Sequence, residues 1–107
     1  MSEPTRREKI EAMLAEDPKD EFLRYGLALE MEKEGRHEDS VAALRALIAD
    51  SPHYVAAHFM AAQQLVKLGR PEEAKPLLRE GIEVARQQCD THTADEMADF
   101  LSALGEQ

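Results

Sequence analysis

Lys33, Gly35, Arg36 and Glu38 are answered thirty-four residues later by Lys67, Gly69, Arg70 and Glu72. The same interval carries Ala28, Leu44, Arg45 and Ile48 onto Ala62, Leu78, Arg79 and Ile82, and Asp17-Pro18 onto Ser51-Pro52. Self-similarity at a fixed period of this size marks stacked helical pairs, each burying its apolar face on its neighbours. That constraint leaves an all-α chain of about six antiparallel helices as the expected fold.

The apolar spacing places the helices. Residues Glu3 to Glu16 carry Ile10, Met13 and Leu14 at helical intervals and predict a first, amphipathic helix. Asp17 offers a cap and Pro18 suits a first turn, so a second helix is expected from there to about Glu34, burying Leu23, Leu27, Ala28 and Met31. Gly35 should end it in a left-handed conformation. The turn Gly35-Arg36-His37 leads into a third helix with Val41, Leu44, Leu47 and Ile48 inward to about Asp50. So short a connection demands an antiparallel hairpin.

Ser51-Pro52 repeats the opening, and a fourth helix buries Ala57, Ala61, Ala62 and Leu65 before Gly69. A fifth, from about Pro71 to Gln88, uses Ala74, Leu77, Leu78, Ile82 and Ala85, with Pro76 expected to bend or loosen it. Gly81, in mid-helix, suggests a close approach to another backbone. Thr93-Ala94-Asp95-Glu96 has the form of a capping box opening a sixth helix, in which Met97, Phe100, Leu101 and Leu104 follow the i, i+3, i+4, i+7 rule, and Gly105 to Gln107 should fray.

Composition narrows the function. A chain of 107 residues with a net charge of −9 lacks the clustered Lys and Arg that phosphate backbones require, so nucleic acid is excluded and a basic protein partner fits better. Asp90, Asp95, Glu96, Asp99 and Glu106 follow Cys89 with no Lys or Arg among them, making the carboxyl end the most negative region. The amino end, MSEPTRREKIEAM, has charges where a signal peptide needs an apolar segment, and no run is apolar and long enough to span a bilayer. Cys89 is the single cysteine, which rules out an internal disulfide and suits a reducing compartment, so a cytoplasmic protein without membrane contact is expected.

The residues resemble the tetratricopeptide repeat family, whose loose signature is W-x2-L-G-x2-Y, then A-x3-F, then P, within thirty-four residues. The first copy reads Arg24-x2-Leu27-Ala28-x2-Met31, Ser40-x3-Leu44 and Pro52; the second reads His58-x2-Ala61-Ala62-x2-Leu65 and Ala74-x3-Leu78, with Arg86 at the closing proline's place. On this resemblance the chain is one domain, 1–107. It divides into an N-terminal capping helix 3–16, repeats 17–50 and 51–86, and a C-terminal capping helix 92–104, wound as a right-handed superhelix.

The resemblance also implies a concave groove, lined by the first helix of each repeat, that holds a peptide or helix of a partner protein. The matching positions are Phe22, Tyr25, Leu29, Glu32 and Lys33 in repeat one, and Ala56, Phe59, Gln63, Val66 and Lys67 in repeat two. Of these, Tyr25, Leu29 and Phe59 are the expected apolar anchors, Phe22 lies on the same groove-facing side, and Lys33, Gln63 and Lys67 set orientation. Packing of Phe22 and Phe59 under the neighbouring capping helices is the alternative. Some members clamp a partner's terminal carboxylate with Lys and Asn; Tyr25, Leu29 and Phe59 occupy the relevant places, so that activity is not carried over.

No catalytic or metal chemistry is expected. Cys89 and His92 lack the further converging ligands of a zinc site and the base and oxyanion groups of a nucleophilic one. His53 and His58, five apart, read as surface or groove-edge residues and His37 as a turn residue. Neither Gly-Arg turn is a phosphate loop, and no cofactor is implied. The leading expectation is a non-catalytic interaction module; the alternative is a scaffold that self-associates, as a homo-dimer, through the sixth helix or the groove.

Overall fold

Thr5 starts the fold. Its hydroxyl accepts a hydrogen bond from the Glu8 amide at 3.1 Å while the Glu8 carboxylate accepts one from the Thr5 amide at 2.7 Å, a reciprocal cap that opens α1 (Arg6–Glu16). The computed structural model describes residues 2–105, so Glu106 and the expected fraying at the last two residues lie outside the described residues. Five helices follow α1: α2 (Glu21–Lys33), α3 (His37–Asp50), α4 (Val55–Lys67), α5 (Pro71–Gln87) and α6 (Thr91–Ala103). The described residues are thus all-α.

Two helix starts differ from the sequence expectation for one reason. Asp17-Pro18 and Ser51-Pro52 do not open helices; they form turns closed by Asp20 N–H to Asp17 carbonyl (3.2 Å) and Tyr54 N–H to Ser51 carbonyl (3.0 Å). Proline pre-sets the second position of such a turn as readily as the first turn of a helix. The helices start after the turns, and Asp20, whose carboxylate accepts from the Leu23 amide at 2.8 Å, is the N-cap of α2.

Helix ends obey the repeat. Gly35 and Gly69 stand at φ 78° and 74°, and the next amides reach back, Arg36 to the Met31 carbonyl at 2.9 Å and Arg70 to the Leu65 carbonyl at 2.8 Å. These are Schellman closures, with glycine where an L side chain is strained. The end of α5 uses the same closure without glycine: Cys89 adopts φ 60° and the Asp90 amide donates to the Ala85 carbonyl at 2.9 Å. Asp90 then caps α6 by accepting from the Thr93 amide at 3.2 Å, so Asp90, and not Thr93, opens the last helix. α5 continues through Pro76 without interruption.

Consecutive helices pack on one another, α1 on α2 through to α5 on α6, giving an elongated stack of 53 × 29 × 21 Å. The core runs through α3, α4 and α5: Leu44, Leu47, Ala57, Ala61, Ala62, Leu65, Ala74, Leu78 and Ala85 are completely buried. In α2 only Ala28 is buried; Leu23, Leu27 and Met31 are half-buried, because α1 has only 11 residues to lay over that side. Gly81 is tight, as expected, but against side chains: an added Cβ would lie 2.8 Å from His58 Cβ and 2.9 Å from Met97 Sδ.

Candidate protein-interaction groove

α2, α4 and α6 share one face. A shallow cleft of about 360 Å³ crosses all three, lined by Glu32 of α2, Met60, Gln63, Val66 and Lys67 of α4, and Phe100 of α6. The expected residues distribute along this face unequally. Gln63 and Lys67 line the cleft. Phe22, Tyr25, Leu29 and Lys33 gather at its α2 end, where they border a second cleft against α1.

Aromatic contacts decide how far each anchor is available. Tyr25 lies against Tyr54, ring centroids 5.6 Å apart, and burial pushes its hydroxyl pKa up, with Tyr54 adding to the effect. Phe59 meets the Phe100 ring edge-on at 5.8 Å, so part of its surface is used in holding α6. Phe22 is 75% exposed and has no such neighbour among the described residues. The two phenylalanines therefore divide: Phe59 packs toward the last helix, whereas Phe22 does not pack beneath the first.

The cations of the groove are already engaged. Lys33 donates to Glu30 at 3.1 Å, a carboxylate that also faces Arg6 at 3.3 Å, and Lys67 donates to Glu32 at 3.2 Å. By contrast, Asp95 and Asp99 of α6 are exposed and form no ion pair or hydrogen bond among the described residues. α6 follows α4 at an interval of 36 residues, with Leu68 and Gly69 matched by Leu104 and Gly105, so Asp95 and Asp99 take the places of Phe59 and Gln63. The face grades from apolar at α2 to acidic at α6.

Met60 and Phe100 were not legible as groove residues: Met60 answers Gly26 one period earlier, and Phe100 lies on the interval of 36 that the thirty-four-residue pattern does not follow. The histidines also moved. His58 is fully buried, its Nε2–H directed at the Pro52 carbonyl 3.0 Å away and its Nδ1 without a partner, instead of at the groove edge. His37 opens α3 and its Nδ1 is 2.6 Å from buried Gln64 Oε1. Cys89 and His92 are both exposed; His92 lies 3.3 Å from Glu96. Among the described residues no helix is long and apolar enough to cross a membrane.

The comparisons agree with this geometry. A search of curated proteins gives no match. The solution structure of a tetratricopeptide repeat domain protein from Salinibacter ruber superposes with a TM-score of 0.78 at 29% identity, covering 81% of this chain and 88% of that one. A crystal structure of a tetratricopeptide repeat domain protein from the same organism gives 0.75 at 28%, over 80% and 96%. A protein from Bordetella parapertussis shares the fold, with a TM-score of 0.82 at 24% identity over 96% and 90% of the two chains. The family model for the tetratricopeptide repeat matches residues 32–92, more than half of the sequence. With its paired Gly-Arg turns, its consecutive hairpins and these matches together, the chain belongs to the tetratricopeptide repeat family.

Proposed function

We propose that the face formed by α2, α4 and α6 holds a segment of a partner protein that combines apolar side chains with Lys or Arg, without catalysis. Tetratricopeptide repeats are in general protein-interaction modules, which sets the class of function. The observation that carries the finer reading is the grade along the face. Tyr25, Leu29 and Val66 offer apolar surface left half-buried by folding, and Asp95 and Asp99 offer carboxylates without intramolecular partners among the described residues. Covering such apolar surface is worth roughly 25 cal/mol per Å² before ordering costs, and opposite charge fixes direction and speeds encounter.

Groove length sets a span. α2 and α6 lie on either side of α4 along the face, so an extended partner should carry its anchor and its cation at a fixed separation along the chain and not side by side. Selection from a displayed library of random dodecapeptides tests this directly. Enriched peptides should carry an apolar residue and a Lys or Arg at that spacing, Leu29→Glu with Val66→Glu should abolish capture, and Asp95→Lys with Asp99→Lys should select acidic peptides instead. Peptides that bind these variants as well as the parent, with helicity unchanged, would refute the reading.

A further inference from the structure

Met13 and Phe22 are the exposed large apolar side chains of the described residues, 49% and 75% open, and both line one cleft of about 240 Å³ between α1 and α2. The repeat register accounts for that cleft. Within the molecule α2 packs on α3, and α3 on α4. Stepping back thirty-four residues converts Leu44, Leu47 and Ile48 of α3 into Ile10, Met13 and Leu14 of α1. Leu47 is completely buried and Met13 is half open. The corner of α1 and α2 thus has the lining for a helix of the α2 type, the first of a pair, and none of the described helices fills it.

α6 is a helix of that type. On the interval of 36, Ala62 and Leu65 of α4 correspond to Ala98 and Leu101 of α6, a small residue allowing close approach and a large one to fill the corner. Among the described residues no second-of-pair helix packs on α6 as α3 and α5 pack on α2 and α4, and a cleft of about 500 Å³ remains between α5 and α6 beside Ile82, Ala98 and Leu101. α1 stands in register with α3 and is a helix of that second type. The two ends of the molecule are therefore the two halves of its own internal interface.

From this register we infer that the 107-residue chain associates end to end: α6 of one copy seats in the α1–α2 corner of the next, pairing with that copy's α1 as α2 pairs with α3. Charge at the rims acts locally. Arg6 and Lys33 share the Glu30 carboxylate at the corner and α6 brings Asp95, Glu96 and Asp99, while Arg79 and Arg86 stand with Glu83 on the α5 side of the other cleft, so the attraction is confined to the α6 helix and the matched apolar register carries the contact. The net charge of −9 on each copy opposes approach over longer range, so moderate salt strengthens the contact. Because the two surfaces differ, the interface is heterologous and open-ended.

Sedimentation across a protein concentration series, at low and at moderate salt, supplies the test. The parent mass should climb continuously above 12.0 kDa without a plateau at two chains, and more steeply at moderate salt. Met13→Glu blocks the corner and Leu101→Glu blocks α6; Ser102→Arg, on an exposed residue of the same cleft, replaces Leu101→Glu should that variant lose helicity. Each variant alone should remain a monomer, while their equimolar mixture, in which one intact end of each kind survives, should form pairs and nothing larger. A parent that stays at 12.0 kDa throughout, a single variant that still dimerises, or a mixture that does not pair would each overturn the inference.

Discussion

α2 and α4 occupy equivalent places one repeat apart, yet they are buried to very different degrees. α4 presents the smaller side chains, Ala57, Ala61, Ala62 and Leu65, and all four are completely enclosed. α2 has Leu23, Leu27 and Met31 at three of those places and leaves them half-buried, with only Ala28 covered. More apolar volume has produced less burial. The difference lies in the neighbours: α4 sits between two full-length helices, α3 and α5, whereas one side of α2 meets only α1. In a linear stack, burial follows position along the array as much as side-chain pattern.

The comparison can be broken by truncating matched residues. Leu65→Ala should cost about 3 kcal/mol, within the range for fully buried leucines, and Met31→Ala, thirty-four residues earlier, about 1 kcal/mol. Equal costs in urea unfolding would show that α2 is as well covered as α4. Two glycines, not equivalent in the repeat, give a second comparison with opposite signs. Gly81→Ala forces a Cβ to within 2.8 Å of rigid His58 Cβ, and should lose about 1–2 kcal/mol net of the helix-propensity gain. Gly26→Ala meets only Ile10 Cδ1 at 3.7 Å and should gain up to about 1 kcal/mol. Melting temperatures of the two variants should move apart.

Smaller effects sharpen the picture at the junction of α5 and α6. Cys89→Gly should stabilise the chain by about 1 kcal/mol in the same unfolding assay, by relieving an L residue at φ 60°. Asp90 has its carboxyl pKa lowered by its hydrogen bonds from Thr93. A depressed folded-state pKa contributes stability above the unfolded value and loses it as pH falls through the folded one, so the cap weakens below about pH 4. Amide exchange in the first turn of α6 should slow by less between pH 6 and pH 3 than hydroxide catalysis alone predicts, because protection falls as the cap is protonated, and Asp90→Asn should remove that difference.

Periodicity was the legible part. Gly35 and Gly69 marked helix ends, and Val41, Leu44, Leu78 and Ala85 marked the core, because both depend on spacing along the chain. The prolines misled, since Pro18 and Pro52 satisfy a turn and a helix start equally well, and only the closing bonds to Asp17 and Ser51 distinguish them. Thr93 was the expected cap, yet Asp90 directly follows the closure at Cys89 and accepts from the Thr93 amide, a compact connection that spacing alone does not distinguish from a longer turn. His58 could not be placed from composition because its burial depends on the gap that Gly81 leaves opposite. Of the residues expected along the groove, Gln63 and Lys67 line the cleft across α2, α4 and α6, and Tyr25 and Leu29 line the cleft against α1. Which face of Phe59 remains open depends on the Phe100 ring, and that is a matter of geometry between helices.

One consequence of packing each helix chiefly on its chain neighbours remains. Among the described residues no contact of substance ties the first helix to the last, so none of the helices closes the stack on itself. Its length is therefore not fixed by shape in the way a barrel's or a bundle's is: a hairpin could be duplicated or excised at the Gly-Arg turns and the remaining seams would still match. The array is a ruler whose graduations can be added or removed without redrawing the rest.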